Sequence, residues 1–83
     1  MIYRLKYDPA AEAVHDSLPQ NASERLSTAL AQACTDPQSA TEPYGVDDES
    51  GVIRTLLAGD VFAVLLIGRT LKTVTVLHIS YLG

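Results

Sequence analysis

The sequence is short of residues on which several classes of protein depend. It has one cysteine, Cys34, among 83 residues, which excludes an internal disulfide framework and a cysteine-based structural zinc site, so a reducing, cytoplasmic setting is expected. It has six lysines and arginines against ten acids, a formal net charge of −4. So few cations speak against a protein held to nucleic acid by its overall charge, because counterion release needs clustered Lys and Arg. The sum does not fix the distribution, and six cations can still meet in one groove. The longest apolar run, Val61 to Ile67, is far too short to span a bilayer, and the stretch Met1–Tyr7 lacks the apolar segment of a signal peptide, so neither membrane insertion nor secretion is expected. A chain of this length supports a single domain, residues 1–83, with one modest core.

What is present falls into ordered pieces. Ile2–Tyr7 alternates, with Tyr3 and Leu5 on an apolar face, and reads as a first strand ending at Asp8. Asp8-Pro9 supplies an N-cap oxygen and a proline at the first helical position, where a missing N–H costs nothing. The helix that follows runs through Ser17 with Ala10, Ala11, Val14 and Leu18 as its stripe, and Pro19 ends it. A second helix opens at Asn21 with Glu24 three residues on, a spacing similar to a capping box, and buries Leu26, Ala29, Leu30 and Ala33. Cys34 is expected to pack within it, and Thr35-Asp36-Pro37 closes it. Leu18-Pro19-Gln20 leaves room only for a tight helical hairpin, so both stripes share one layer.

From Asp36 to Ser50 the chain is rich in Pro, Gly, Ser and acids and reads as a connecting segment, with Tyr44 pinning it to the core. The run Asp47-Asp48-Glu49 lacks the oxygen spacing of a calcium loop and reads as solvated loop. Beyond it lie three apolar runs, Val52–Leu57, Val61–Ile67 and Leu71–Ile79, separated at Ala58-Gly59-Asp60 and Gly68-Arg69-Thr70, where glycine can take a positive φ. The expected fold is α+β and two-layered: an N-terminal strand, a helical hairpin, then a three-stranded antiparallel meander. In the middle run both alternating sets are apolar, Val61, Ala63, Leu65 and Ile67 against Phe62, Val64 and Leu66. Helices can cover one of them, and an uncovered apolar face marks a surface for a protein partner or a second copy of the chain.

Candidate chemistry concentrates in the same third of the chain, which holds Arg54, Arg69, Lys72 and His78. Arg54 interrupts an apolar strand, an expensive position unless it faces solvent or a ligand. Arg69 belongs to a turn. His15 stands alone on the polar side of the first helix, without the neighbours a metal site requires. The period of two along the last strand puts Lys72, Val74, Val76 and His78 on one face and Thr73, Thr75, Leu77, Ile79 and Tyr81 on the other, so His78 and Tyr81 diverge unless a bulge near Ile79 intervenes.

The order strand, helical hairpin, meander resembles the RelE/ParE superfamily of bacterial toxins from toxin–antitoxin pairs. The resemblance is carried by Ile2-Tyr3-Arg4-Leu5-Lys6-Tyr7-Asp8-Pro9-Ala10-Ala11, by the turn Leu57-Ala58-Gly59-Asp60-Val61 and by the final strand Val74-Thr75-Val76-Leu77-His78. It implies a toxin neutralised by an antitoxin, and in the RelE branch a metal-independent, cofactor-free endonuclease acting on mRNA in the ribosome. Such cleavage must activate a 2′-hydroxyl, stabilise charge on the phosphate and protonate the leaving oxygen. On that reading Arg54 stabilises the phosphate, His78 or Tyr81 moves protons, and Arg69 and Lys72 guide the RNA backbone. The same resemblance leaves open a ParE-like inhibitor of DNA gyrase, or a scaffold that only binds its antitoxin. The chain departs from the RelE pattern after the Gly-Asp turn, where an aromatic and an arginine are common and Val61 and Phe62 stand here. It departs again at Ile79-Ser80-Tyr81, where the tail arginine is absent.

Overall fold

The computed structural model describes residues 2–48 and 51–82. Its elements run β1 (Arg4–Tyr7), α1 (Pro9–Ser17), α2 (Gln20–Thr35), α3 (Pro37–Ala40), β2 (Glu42–Asp48), β3 (Gly51–Ala58), β4 (Val61–Gly68) and β5 (Thr73–Tyr81). Asp8 caps α1 as expected, its carboxylate accepting from the amide of Ala10, with Pro9 in the first turn. No capping box forms at the start of α2. Pro19 is the N-cap and bonds nothing with its side chain, while Asn21 accepts from the neighbouring Ala22 amide and Glu24 from Gln20. The hairpin is tight, only Leu18 and Pro19 separating the two helices.

The strands form one five-stranded sheet in the order β1-β5-β4-β3-β2. β1 lies parallel to β5, and the other neighbours are antiparallel. Its placement follows from backbone bonds: Tyr3 N–H donates to the Cys34 carbonyl at 2.9 Å, satisfying one orphan acceptor at the end of α2, and Arg4 N–H to the Lys72 carbonyl at 2.8 Å.

The segment read as a connection is mostly ordered. It supplies α3, capped by Asp36 through the Ser39 amide, and the edge strand β2. Pro43 is tolerated there because an edge strand has a side that needs no donor, and the pairing with β3 is irregular between Pro43 and Asp47. Tyr44 is 56% exposed and anchors nothing in the core. Asp47 and Asp48 belong to β2 rather than to a loop; Glu49 and Ser50 lie outside the described residues.

Both helices cover one face. Leu26, Leu30, Ala33 and Cys34 of α2 and Ala11 of α1 meet Leu56, Val61, Ala63, Leu65, Ile67, Val74, Val76 and Ile79 in a single core. The α1 stripe is narrower than the sequence suggests, with Ala10 and Val14 exposed. Gly59 takes φ +64° in the β3–β4 turn, and Arg25 of α2 pairs there with Asp60 at 2.6 Å. The second turn works differently: Lys72, not Gly68, carries the positive φ of 54°, and β5 begins at Thr73. Among the described residues no helix is long and apolar enough to cross a membrane.

Candidate functional site

Sheet register sorts the candidate side chains. Arg54 on β3 lies opposite Leu65 on β4, and Leu65 is fully buried beneath the helices, so Arg54 is on the helix-covered side near the sheet's edge. Its guanidinium is occupied. Nε donates to Thr41 Oγ1, and Nη2 donates to the Thr41 carbonyl at 2.9 Å and the Gln38 carbonyl at 3.5 Å. Thr41, itself 5% exposed, donates a hydrogen bond from its own hydroxyl to the Pro37 carbonyl. An arginine in an apolar strand is thus accommodated by carbonyls at the end of α3, which a planar fork of donors suits well. Nη1 takes no part in these bonds.

Arg54 also borders an open cavity of about 740 Å³ between the end of α2 and the β4–β5 turn, and Arg69 and Lys72 line the same cavity. Its walls include Tyr3, Val52 and Ile67. Lys72 Nζ sits 5.3 Å from the centre of the Tyr3 ring, a cation–π distance. The left-handed backbone of Lys72 costs about 1 kcal/mol relative to glycine. Asp36, an acid among the described residues of the wall, is engaged by the hydroxyl and amide of Ser39, which hold its carboxyl below the usual range. The fold therefore brings together three of the sequence candidates, Arg54, Arg69 and Lys72.

It does not bring His78 and Tyr81 to them. A bulge exists, but at Leu77 rather than near Ile79: Val64 faces His78 while Leu65 faces Val76, leaving Leu77 unpaired. The slip turns Leu77 and His78 outward and Ile79 inward, so His78 lies on the uncovered face with its Nε2 2.9 Å from Ser80 Oγ. Tyr81 is opposite Val61 at the other end of β4, 40% exposed.

His15 is not alone. Its Nδ1 lies 2.9 Å from the Tyr7 hydroxyl and its Nε2 3.3 Å from Ser27 Oγ, tying α1 to β1 and α2. Burial, and then the charges of Glu12 and Asp16, push the Tyr7 hydroxyl above its ordinary value. Sequence reading missed this link and the part played by Thr41. The only signal for the latter was Arg54 itself, which demands acceptors wherever it is buried.

No protein-family model matches this chain, and no curated protein matches it. Solved structures do. The archaeal RelE–RelB complex from Pyrococcus horikoshii OT3 superposes with a TM-score of 0.81 at 16% identity, covering 100% of this chain and 98% of the other. The RelBE2 toxin–antitoxin complex of Mycobacterium tuberculosis gives 0.79 at 16% identity over 98% and 99%. The chain has the RelE fold. The isolated E. coli RelE toxin agrees, at 0.77 and 18% identity over 98% of this chain and 85% of that one.

On this RelE fold the uncovered sheet face is apolar. Phe62, Val64 and Leu66 line its centre on β4, Ile53 and Leu57 flank them on β3, and Leu77 is on β5. Arg4 and Lys6 follow on β1, opposite Thr73 and Thr75. Leu57 is 68% exposed, and Phe62, Val64 and Leu66 are half-buried. Phe62, where the RelE pattern often places an arginine, is the centre of this patch.

Proposed function

We propose that this chain is the toxin-fold member of a toxin–antitoxin pair and that it binds its antitoxin through the uncovered sheet face. The observation that supports this is the apolar strip Phe62-Val64-Leu66 with Ile53, Leu57 and Leu77 around it, on a fold whose solved relatives include RelE–RelB complexes. Such a strip suits the apolar side of an amphipathic segment, and Arg4 and Lys6 along β1 suit acids at its margin. Co-expression with the product of the adjacent reading frame tests the reading. The two should co-purify, and binding to the native state should raise the melting temperature. A chain that stays free of every neighbouring product would overturn it.

Ribosome-dependent cleavage of mRNA is a second reading, favoured by the convergence of Arg54, Arg69 and Lys72 on one cavity. In it Arg54 stabilises the phosphate, Arg69 and Lys72 guide the backbone, and His78 or Tyr81 moves protons. With His78 in that role the RNA would have to reach both faces of the sheet, and with Tyr81 it would have to extend to the far end of β4, so cleavage should be weak. Mapping mRNA ends after expression decides: translation-dependent cuts support the nuclease, whereas growth arrest with intact RNA and altered supercoiling assigns gyrase as the target. Absence of any phenotype leaves antitoxin binding as the whole activity.

A further inference from the structure

His78 stands on the uncovered sheet face, where the bulge at Leu77 puts it. It lies opposite Val64, and Ser80, whose hydroxyl is 2.9 Å from its Nε2, lies opposite Phe62. Cross-strand neighbours on one face have Cβ atoms about 5 Å apart. A segment that covers Phe62 and Val64 therefore covers the imidazole and its hydroxyl partner with them.

Covering treats the two protonation states of this side chain unequally. Neutral imidazole can enter an apolar interface with Ser80 meeting one ring nitrogen. Imidazolium brings a full charge and a second N–H donor, and Nδ1 of His78 has no hydrogen-bond partner among the described residues. The surrounding charges do not compensate. β4 carries no charged residue, and β5 adds only the phenol of Tyr81, which lies opposite the buried Val61. On β1, Lys6 lies opposite Thr75 on the same face as His78 and has the sign of imidazolium, while the carboxylate of Asp8 is turned to the Ala10 amide. Glu12, His15 and Asp16 of α1 gather with Tyr7 on the helix-covered side.

On the antitoxin reading of this face, we propose that His78 makes partner binding proton-sensitive: the apolar side of an antitoxin segment covers neutral His78 together with Phe62 and Val64, and protonation of His78 opposes the covering. The complex then holds fewer protons than the free partners. Affinity is full above the range in which histidine titrates and is lost as pH falls through it. For a histidine with the ordinary value near 6.5, exclusion of the proton from the complex weakens binding about tenfold at about pH 5.5.

The test is a calorimetric titration of the adjacent-frame product into the wild type, His78→Gln, His78→Leu and His15→Gln at about pH 8 and about pH 5.5, at fixed ionic strength. The melting temperature of each free chain is measured at both pH values, and the pair of His78 variants keeps the result readable where one of them fails to fold. Groups of the product itself titrate in every case and cancel in the comparison. Between the two pH values the wild type should lose about tenfold in affinity beyond any loss shown by the His78 variants, which should agree with each other. His15→Gln should follow the wild type. A wild-type loss no larger than that of the His78 variants overturns the proposal and leaves the antitoxin reading standing. So does tighter binding of the wild type at the lower pH, which would mean that the partner offers His78 an acid. Disappearance of the effect in His15→Gln overturns it too, moving the sensitivity to the hydrogen bonds of α1. Binding to no product at about pH 8 overturns both the proposal and the reading on which it rests.

Discussion

The two faces of the sheet are built from the same strands and almost the same residue types, yet they do different things. On the covered face of β4, Val61, Ala63 and Leu65 are wholly buried and Ile67 is 5% exposed. On the other face Phe62, Val64 and Leu66 keep part of their surface in water. The first set is used up in folding, because α1 and α2 complete it. The second is not, and free energy of burial remains available to a partner. The cations divide in the same way: Arg54 works beneath the helices, whereas Arg4 and Lys6 border the open strip. A sequence that is apolar on both sides of one strand therefore encodes a core and, on the proposed function, an interface with it.

Substitution of adjacent leucines sharpens this contrast most. Leu65→Ala removes a fully buried side chain and should lower unfolding free energy by about 3 kcal/mol. Leu66→Ala, one residue on, should cost the free chain about 1 kcal/mol or less, read from urea midpoints. Equal costs would mean that the second face is already covered. Arg54→Ala should come next, at about 1–2 kcal/mol, because the carbonyls of Thr41 and Gln38 lose their donor. Lysine should restore little, since one ammonium cannot span the acceptors that the guanidinium reaches.

A smaller effect belongs to alkaline pH. Burial holds the Cys34 thiol and the Tyr7 hydroxyl above their ordinary values of 9.0 and 10.0. The unfolded chain therefore releases these protons first, and stability should be fully present at neutral pH and fall as pH rises past about 9. Denaturation at pH 7 and 10.5 checks the sign, and Cys34→Ala should reduce the loss. The smallest effect is expected at the ion pair of Arg25 and Asp60. Both side chains are about two-fifths exposed, at 42% and 41%, and Arg25→Ala should change stability by less than about 1 kcal/mol.

Local rules made β1, both helices of the hairpin and the three-strand meander legible, because their caps, stripes and alternation act within a few residues. The RelE fold was legible from their order. Four things were not. β2 was hidden because Pro43 and Gly45 read as loop, and only pairing with β3 makes an edge strand of them. The bulge at Leu77 was not legible, since the sequence raised one near Ile79 only as a condition for His78 and Tyr81 to share a face; its position depends on which residues of β4 must meet the core, which is a tertiary matter. Arg54 was identified as an exception in an apolar strand, but the acceptors that resolve it lie 13 and 16 residues away, at Thr41 and Gln38. The cations at the β4–β5 turn were named individually, while their sharing of one cavity with Arg54 required the fold.

The central claim, that the uncovered face is a protein-binding surface, is tested most directly by titrating the adjacent-frame product into the wild type and into Phe62→Ser, with the melting temperature of each free chain measured alongside. The account predicts at least about a tenfold loss of affinity for Phe62→Ser, since a central aromatic anchor usually dominates such an interface, with little change in the free chain. Unchanged affinity for Phe62→Ser, together with a loss on Arg69→Ala, would contradict it and move the interface to the other side of the sheet.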